Sequence, residues 1–225
     1  MATKYSKNEI LEMIEKAKFD IRSFYKQDFV NYAGKTKDSK EYYTEIAAEW
    51  LLSHVDLFNK IKLINREGSY RIESHDGKII NQNSNRAEEK IAMKLFDYSQ
   101  NKGEIFDKIG KIIDYQTPLK NIRTDDAGKI DLLAYNEDAN TLRILELKKS
   151  DSKETMLKCL LEVYTYLKIV NKDKLLKDFG LPKDTIVKAS PLVFFEGMQH
   201  KEMQEDRKNL KKINGKNGNR TSLFN

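Results

Sequence analysis

A predicted β-hairpin between Gly128 and Asp151 constrains this chain more than any other stretch. Two apolar runs that are rich in strand-forming residues, IDLLAY at 130–135 and LRILELK at 142–148, flank a cluster of turn-forming residues from Asn136 to Asn140. Alternating apolar residues on both sides of such a cluster are typical of two antiparallel strands. The segment is also unusual because it carries carboxylates and a lysine inside its apolar strands.

The register of this hairpin follows from a turn centred in the middle of the cluster. It pairs Leu133 with Ile144 and Asp131 with Glu146. Since side chains alternate between the two faces of a strand, Asp131, Glu146 and Lys148 are expected on one face. Like charges that face each other destabilise a sheet by up to about 1 kcal/mol, so a cation is expected beside the carboxylates. Lys148 is one candidate and a divalent ion such as Mg²⁺ or Mn²⁺ is the other; a solvated edge hairpin with a surface ion pair is the third interpretation.

Length and composition limit the class of protein. With 225 residues, of which 39% are hydrophobic, the chain can bury a substantial core. No apolar run approaches the roughly 18 residues of a membrane span, the first residues lack a signal-peptide pattern, and the single Cys159 cannot form an intrachain disulfide. These features predict a cytoplasmic location and no membrane partner. The net charge of +6 permits nucleic-acid binding, although 35 acidic residues nearly balance 41 basic ones.

Residues 1–82 are predicted to form a helical accessory region. Ser6 and Glu9 have the spacing of a capping box and are expected to begin the first helix. A second helix is expected near Asp38 or Ser39, and the apolar stripes of the two helices predict a helical hairpin. The same helices are a candidate homodimer surface. From His54 to Gln82 the pattern indicates a loop or a small hairpin.

Residues 83–198 are predicted to form the core, in the order helix, strand, strand, strand, helix, strand. Ser84 and Asn85 are expected to cap the first helix. The remaining core elements are a strand at 111–119, the hairpin, a helix at 154–170 and a strand at 185–195. Residues 199–225 are expected to form a charged helix at 199–212 and a polar tail.

Glu88 shares a face of the first core helix with its apolar stripe, whereas Glu89 is rotated toward the flank. A carboxylate on a core-facing edge requires a cation or a hydrogen-bond donor. The alternative role for Glu88 is that of a first-turn acid that stabilises the helix dipole.

This order of elements and these residues resemble the restriction-endonuclease-like, PD-(D/E)xK superfamily of metal-dependent nucleases. The resemblance covers residues 84–195: Glu88 corresponds to the acid of the first helix, Asp131 to the acid of the second strand, and Glu146 and Lys148 to the E-x-K of the third. Ile130 replaces the proline that gives the motif its name. The resemblance implies an α/β fold with a mixed central sheet flanked by helices in the order αβββαβ, to which the N-terminal helical segment is added.

The resemblance also implies a site. Its catalytic residues would be Asp131, Glu146 and Lys148. Its metal ligands, for Mg²⁺ with Mn²⁺ as a substitute, would be Glu88, Asp131, Glu146 and the backbone carbonyl of Leu147. Glu162 and Tyr166 fall where many exonuclease-type members carry Q-x-x-x-Y and would support the site, although Glu stands where Gln is commoner.

The expected function is hydrolysis of phosphodiester bonds, with DNA as the favoured nucleic-acid partner. Whether cleavage is endonucleolytic or exonucleolytic is left open by the residues. One alternative is a catalytically idle module of the same fold that binds nucleic acid or a protein partner. Another is an unrelated α/β protein in which the hairpin only carries an ion pair.

Overall fold

The computed structural model of the chain describes residues 5–78, 86–121 and 127–215. Its helices are α1 (Lys7–Ala17), α2 (Tyr43–Ser53), α3 (Ala87–Asn101), α4 (Met156–Ile169), α5 (Lys172–Asp178), α6 (Met198–Gln204) and α7 (Lys208–Ile213). Short 3₁₀ segments occupy Lys18–Lys26, Asp28–Asn31 and Val55–Lys60. The strands are β1 (Lys111–Pro118), β2 (Lys129–Asn136), β3 (Thr141–Lys148) and β4 (Ile186–Val193). The protein is therefore an α/β protein, and the order α3-β1-β2-β3-α4-β4, with α5 inserted before β4, confirms the predicted order of elements.

The four strands form one mixed, open sheet in the order β1-β2-β3-β4. β1 pairs with β2, and β2 with β3, in antiparallel fashion. The hairpin has the predicted register, since Leu133 pairs with Ile144 and Asn136 with Thr141. Because β2 and β3 are both interior strands, the hairpin does not lie at an edge of the sheet.

The residues of the turn explain why the hairpin reverses where it does. The side-chain carbonyl of Asn136 accepts the Ala139 N–H at 2.9 Å. Asn140 has a φ of 41°, a left-handed conformation that asparagine tolerates better than most residues. The cluster of turn-forming residues thus closes the hairpin with its own side chains.

A buried cluster between α3 and one face of the sheet forms the core around the hairpin. Its members are Ala92 and Phe96 of α3, Ile112 and Tyr115 of β1, Leu132 and Ala134 of β2, and Leu145 and Leu147 of β3. Since side chains alternate along a strand, Glu146 and Lys148 belong to the opposite face of β3.

The predicted start is confirmed for the first N-terminal helix, α1, but not for the second, α2. Ser6 and Glu9 form the predicted capping box at the start of α1. α2 begins at Tyr43, and the prediction of a start near Asp38 or Ser39 is wrong. The Thr36 N–H donates to the Glu41 carbonyl at 2.9 Å, and this turn, with Lys40 at a φ of 59°, is incompatible with a helix.

The C-terminal helix differs from its prediction. The predicted single helix at 199–212 is divided into α6 and α7, because Glu205 has an extended backbone with φ −70° and ψ 168°. α7 packs against α2, and the Glu45 carboxylate accepts the N–H groups of Asn209 and Leu210 at 2.8 and 2.9 Å.

The predicted N-terminal caps of α3, Ser84 and Asn85, lie outside the described residues. The described residue before α3 is Arg86, which makes no side-chain cap.

The chain divides into two units, each assembled from separate stretches of sequence. One contains the residues up to Ile61, Ser150–Thr165 and the residues from Val193 onward. The other contains Lys62–Lys149 and Tyr166–Leu192, and therefore holds α3 and the β2–β3 hairpin. The sequence analysis instead assigned contiguous segments, 1–82, 83–198 and 199–225.

None of the helices in the described ranges has the length and apolar character needed to span a bilayer.

Candidate functional site

Glu146 and Lys148 form a buried ion pair on β3. Each residue is only 5% exposed, and Lys148 Nζ donates to Glu146 Oε1 at 2.7 Å. The interpretation of the hairpin as a solvated edge with a surface ion pair is therefore wrong. Removing two charges from water costs free energy that the attraction between them often fails to recover. Such a pair is weak evidence for stability, and buried ionisable groups are commoner at functional sites.

Asp131 lies beside the same segment of β3. Its Oδ2 accepts the backbone N–H of Leu147 at 2.9 Å, and the register of β2 with β3 extends to the Leu132–Leu145 pair. Leu147, two residues beyond Leu145 on β3, therefore donates its backbone N–H to a side chain of β2. The structure thus holds the Asp131 carboxylate next to the residue that separates Glu146 from Lys148.

Gln116 on β1 also contacts Asp131, and sequence reasoning missed it. Its Nε2 donates to Asp131 Oδ1 at 3.0 Å. The register of β1 with β2 pairs Tyr115 with Leu132 and Thr117 with Ile130, which places Gln116 opposite Asp131. Knowledge of that register would have identified Gln116, but the chain between the two strands is too long for a turn to fix the pairing.

Glu88 and Glu89 have different partners. Glu88 Oε1 accepts the backbone N–H of Lys149 at 3.1 Å, whereas Glu89 pairs with Arg86 at 3.1 Å. The helix phase inferred from the sequence therefore selects the acid that reaches the end of β3. Glu88 approaches from the α3 side of the sheet, while strand alternation places Glu146 on the other face.

Tyr166 lies at the start of β2. A Cβ atom added to Gly128 would lie 2.4 Å from the Tyr166 hydroxyl oxygen, so only glycine permits this approach of the two residues. Tyr166 is 4% exposed. Glu162 lies about one turn earlier on α4 and is partly buried; it belongs to the Ser150–Thr165 stretch of the first unit.

The groups beside Asp131 and Glu146 that could ligate a metal ion offer oxygen atoms. In the described ranges, no three His, Cys, Asp or Glu side chains are grouped in the manner of a metal site. Mg²⁺ is commonly held by one or two carboxylates, with water and substrate phosphate oxygens in its other positions. Asp131 and Glu146 meet that requirement in donor type and number, and the Leu147 carbonyl adds a third hard oxygen.

A second polar network lies on β1. Asp114 is 2% exposed and accepts hydrogen bonds from Thr117 Oγ1 at 2.7 Å and from the Nδ1 edge of His75 at 2.6 Å. The His75 ring stacks on Tyr115, with centroids 4.2 Å apart. His75 and Asp114 line a cavity of about 620 Å³. Sequence reasoning missed this network because nothing in the sequence connects residue 75 with residue 114.

No protein-family model, curated protein or solved structure matches this chain.

Proposed function

We propose that the chain is a metal-dependent nuclease that hydrolyses phosphodiester bonds, with DNA as its substrate and a PD-(D/E)xK-like site on the β2–β3 hairpin. The observation that carries the proposal is the buried Glu146–Lys148 pair with the Asp131 carboxylate held against the residue between them. The order α3-β1-β2-β3-α4-β4 and the mixed sheet support a restriction-endonuclease-like core.

The residues of the proposed site would have different roles in metal binding. Asp131, Glu146 and the Leu147 carbonyl would hold Mg²⁺, or Mn²⁺ in its place. Glu88, whose Oε1 accepts the Lys149 N–H at the end of β3, would contribute directly or through a water molecule. When bound, the ion supplies Lewis-acid polarisation of the phosphate and a water of lowered pKa.

Lys148 would carry the electrostatic part of the chemistry. Its ammonium group is nearly excluded from water, and in such surroundings a fixed charge interacts more strongly with a developing charge than it does in solvent. It would orient the attacking water and stabilise negative charge on the phosphate. Gln116 would position the Asp131 carboxylate by its hydrogen bond of 3.0 Å.

A specific observation favours a second candidate function. Both oxygens of Asp131 accept hydrogen bonds from protein groups, and Lys148 donates to Glu146. A network that is satisfied in this way also suits a catalytically idle module that binds nucleic acid or a protein partner. The two functions differ in whether divalent ions support cleavage.

The deciding experiment is incubation of the full chain with plasmid DNA, linear duplex DNA, single-stranded DNA and RNA, in Mg²⁺, Mn²⁺ or EDTA. We expect cleavage in Mg²⁺ or Mn²⁺ and none in EDTA. Asp131→Asn should abolish it, whereas Asp138→Asn, in the exposed turn of the same hairpin, should cleave like the wild type. Binding without cleavage in every condition would support the idle module. Equal cleavage by Asp131→Asn and the wild type would refute the proposed site.

A further inference from the structure

The cavity of about 620 Å³ beside the His75–Asp114 network is separate in its residues from the proposed nuclease site. All of its described lining belongs to the unit that contains α3 and the β2–β3 hairpin. Its volume is within the range of small-molecule sites. Five lining residues are apolar, namely Ile72, Phe96, Ile113, Phe179 and Leu181. Three cations offset three acids in the same described lining, namely Arg71, Lys78 and Lys111 against Glu73, Asp76 and Asp114. The cavity therefore favours an uncharged ligand with an apolar part.

The His75 ring is held with one of its two nitrogens occupied. An ionised carboxylate only accepts hydrogen bonds, and Asp114 also accepts one from Thr117 at 2.7 Å. The contact of 2.6 Å between Asp114 and His75 therefore assigns the ring hydrogen to Nδ1. Tyr115 covers one face of the ring, with centroids 4.2 Å apart and planes inclined by 21°. These contacts fix both the tautomer and the orientation of the imidazole.

The segment that carries His75 is anchored on both sides of the residue. The His75 backbone N–H donates to the Ile72 carbonyl at 3.1 Å. Gly77, with a φ of 77°, lies so close to α3 that an added Cβ atom would be 3.2 Å from the Met93 carbonyl oxygen and from Phe96 Cδ1. A side chain held in this way is already ordered before a ligand binds, which is what a reactive group requires.

The second ring nitrogen of His75 is accessible. In the described ranges, Nε2 makes no hydrogen bond, and it is not one of the buried side-chain atoms that lack a partner. The side chain is 17% exposed and lines the cavity. With the hydrogen on Nδ1, a neutral imidazole has its lone pair on Nε2. The Asp114 carboxylate behind the ring stabilises the imidazolium that forms when Nε2 takes a proton.

We propose that this cavity is a second hydrolytic site, in which His75 is the general base and the substrate is an uncharged carboxylic ester with an apolar group. His75 Nε2 removes a proton from a water molecule while the water oxygen bonds to the ester carbonyl carbon. The bond from that carbon to the leaving oxygen then breaks, and the leaving oxygen takes the proton from the imidazolium. The products are a carboxylic acid and an alcohol or phenol, with water as the only co-reactant. Asp114 is a positioning residue, because it acts through His75.

The test uses the full chain in EDTA, without nucleic acid, so that its outcome is independent of the nuclease proposal. The substrate is para-nitrophenyl butyrate, an uncharged ester with an apolar acyl chain, and release of para-nitrophenolate is followed by absorbance. The comparison compound, para-nitrophenyl phosphate, has the same leaving group but is an anion. We expect hydrolysis of the butyrate that saturates with its concentration, and none of the phosphate. A butyrate rate no higher than that of protein-free buffer, or equal hydrolysis of the phosphate, would overturn the proposal.

Three variants test the roles of the two residues. His75→Gln should lower kcat/KM for the butyrate at least about a hundredfold, because a positioned general base contributes about 10²–10⁴-fold. Asp114→Asn should lower kcat with little change in KM, because it disturbs the ring without contacting the substrate. His200→Gln, at a partly buried histidine outside the described lining, is the matched control and should hydrolyse the ester like the wild type. Equal hydrolysis by a folded His75→Gln and the wild type would overturn the proposal.

Imidazole rescue separates a base from a structural histidine. His75→Ala opens space at the position of the ring, so added imidazole should raise its ester hydrolysis above the sum of the rates of the variant alone and of imidazole alone. His200→Ala should show no such excess. An equal excess in both variants would overturn the assignment of His75, and the wild-type comparison of butyrate with phosphate decides the proposal even if no His75 variant folds.

Discussion

Replacement of Lys148 by methionine tests the buried pair directly. Lys148 and Glu146 are each 5% exposed and joined at 2.7 Å. Methionine fills most of the volume of the lysine stem but removes the ammonium group. Loss of one member of a buried ion pair typically costs about 3–5 kcal/mol, because the remaining charge stays buried without compensation. We expect the free energy of unfolding in EDTA to fall by about that amount.

Two companion measurements separate charge from packing. Glu146→Gln in the Lys148→Met background removes both charges, and most of the lost stability should return. Mg²⁺ should also return stability to the single variant if Asp131 and Glu146 hold the ion. An ion present at about 100 times its dissociation constant stabilises the folded state by about 2.7 kcal/mol.

The assay is urea denaturation followed by circular dichroism, in EDTA and in Mg²⁺. Lys129→Met, at an exposed lysine on β2, is the matched control and should change stability by no more than about 0.5 kcal/mol. A loss below about 1 kcal/mol in EDTA would refute the argument from burial. A Lys148→Met variant whose free energy of unfolding does not rise when Mg²⁺ replaces EDTA would refute the idea that these carboxylates hold the ion.

Three further predictions concern Asp131, the start of β2 and the N-terminal helix. Asp131→Asn should abolish both cleavage and the stabilisation by Mg²⁺ while circular dichroism stays native, because it removes one of the two carboxylate charges that would hold the ion; stabilisation equal to that of the wild type would contradict this. Gly128→Ala should lower the free energy of unfolding by about 1–3 kcal/mol through overpacking against Tyr166, and less in a Tyr166→Phe background; an equal loss in both backgrounds in urea denaturation would show that the hydroxyl is not the obstacle. Hydrogen bonds from Ser6 lower the pKa of Glu9 from 4.5 to about 2, so the unfolded chain binds more protons in this window and stability rises with pH. The advantage of the wild type over Glu9→Gln should be complete above pH 4.5 and disappear as pH falls to about 2; a constant difference in denaturation across that window would contradict the argument.

The elements that local patterns specify were predictable from the sequence. The hairpin register follows from two strands whose side chains alternate between the faces of the sheet and from a turn that contains asparagine and aspartate. The structure pairs Leu133 with Ile144 as predicted. The capping box at Ser6 is likewise a local motif. The phase of α3 distinguished Glu88 from Glu89 because a helix has a fixed angle per residue.

The features that depend on distant contacts were not predictable from the sequence. The break between α6 and α7 lies where Arg207 is buried against Thr44, 163 residues earlier. The burial of Lys148 depends on the interior position of β3 in the sheet, which the hairpin alone does not determine. Gln116 could not be assigned to Asp131 because the register of β1 with β2 is not set by a short turn.

The contact between α7 and α2 has a consequence for how the chain is made. The Glu45 carboxylate in the first turn of α2 cannot accept the N–H groups of Asn209 and Leu210 until those residues, 164 and 165 positions later in the chain, have been synthesised. Closing so long a stretch of chain is entropically costly and makes the contact a late one. Until then the buried side of α2 that contacts α7 stays uncovered in the nascent chain, which is the kind of surface that chaperones bind.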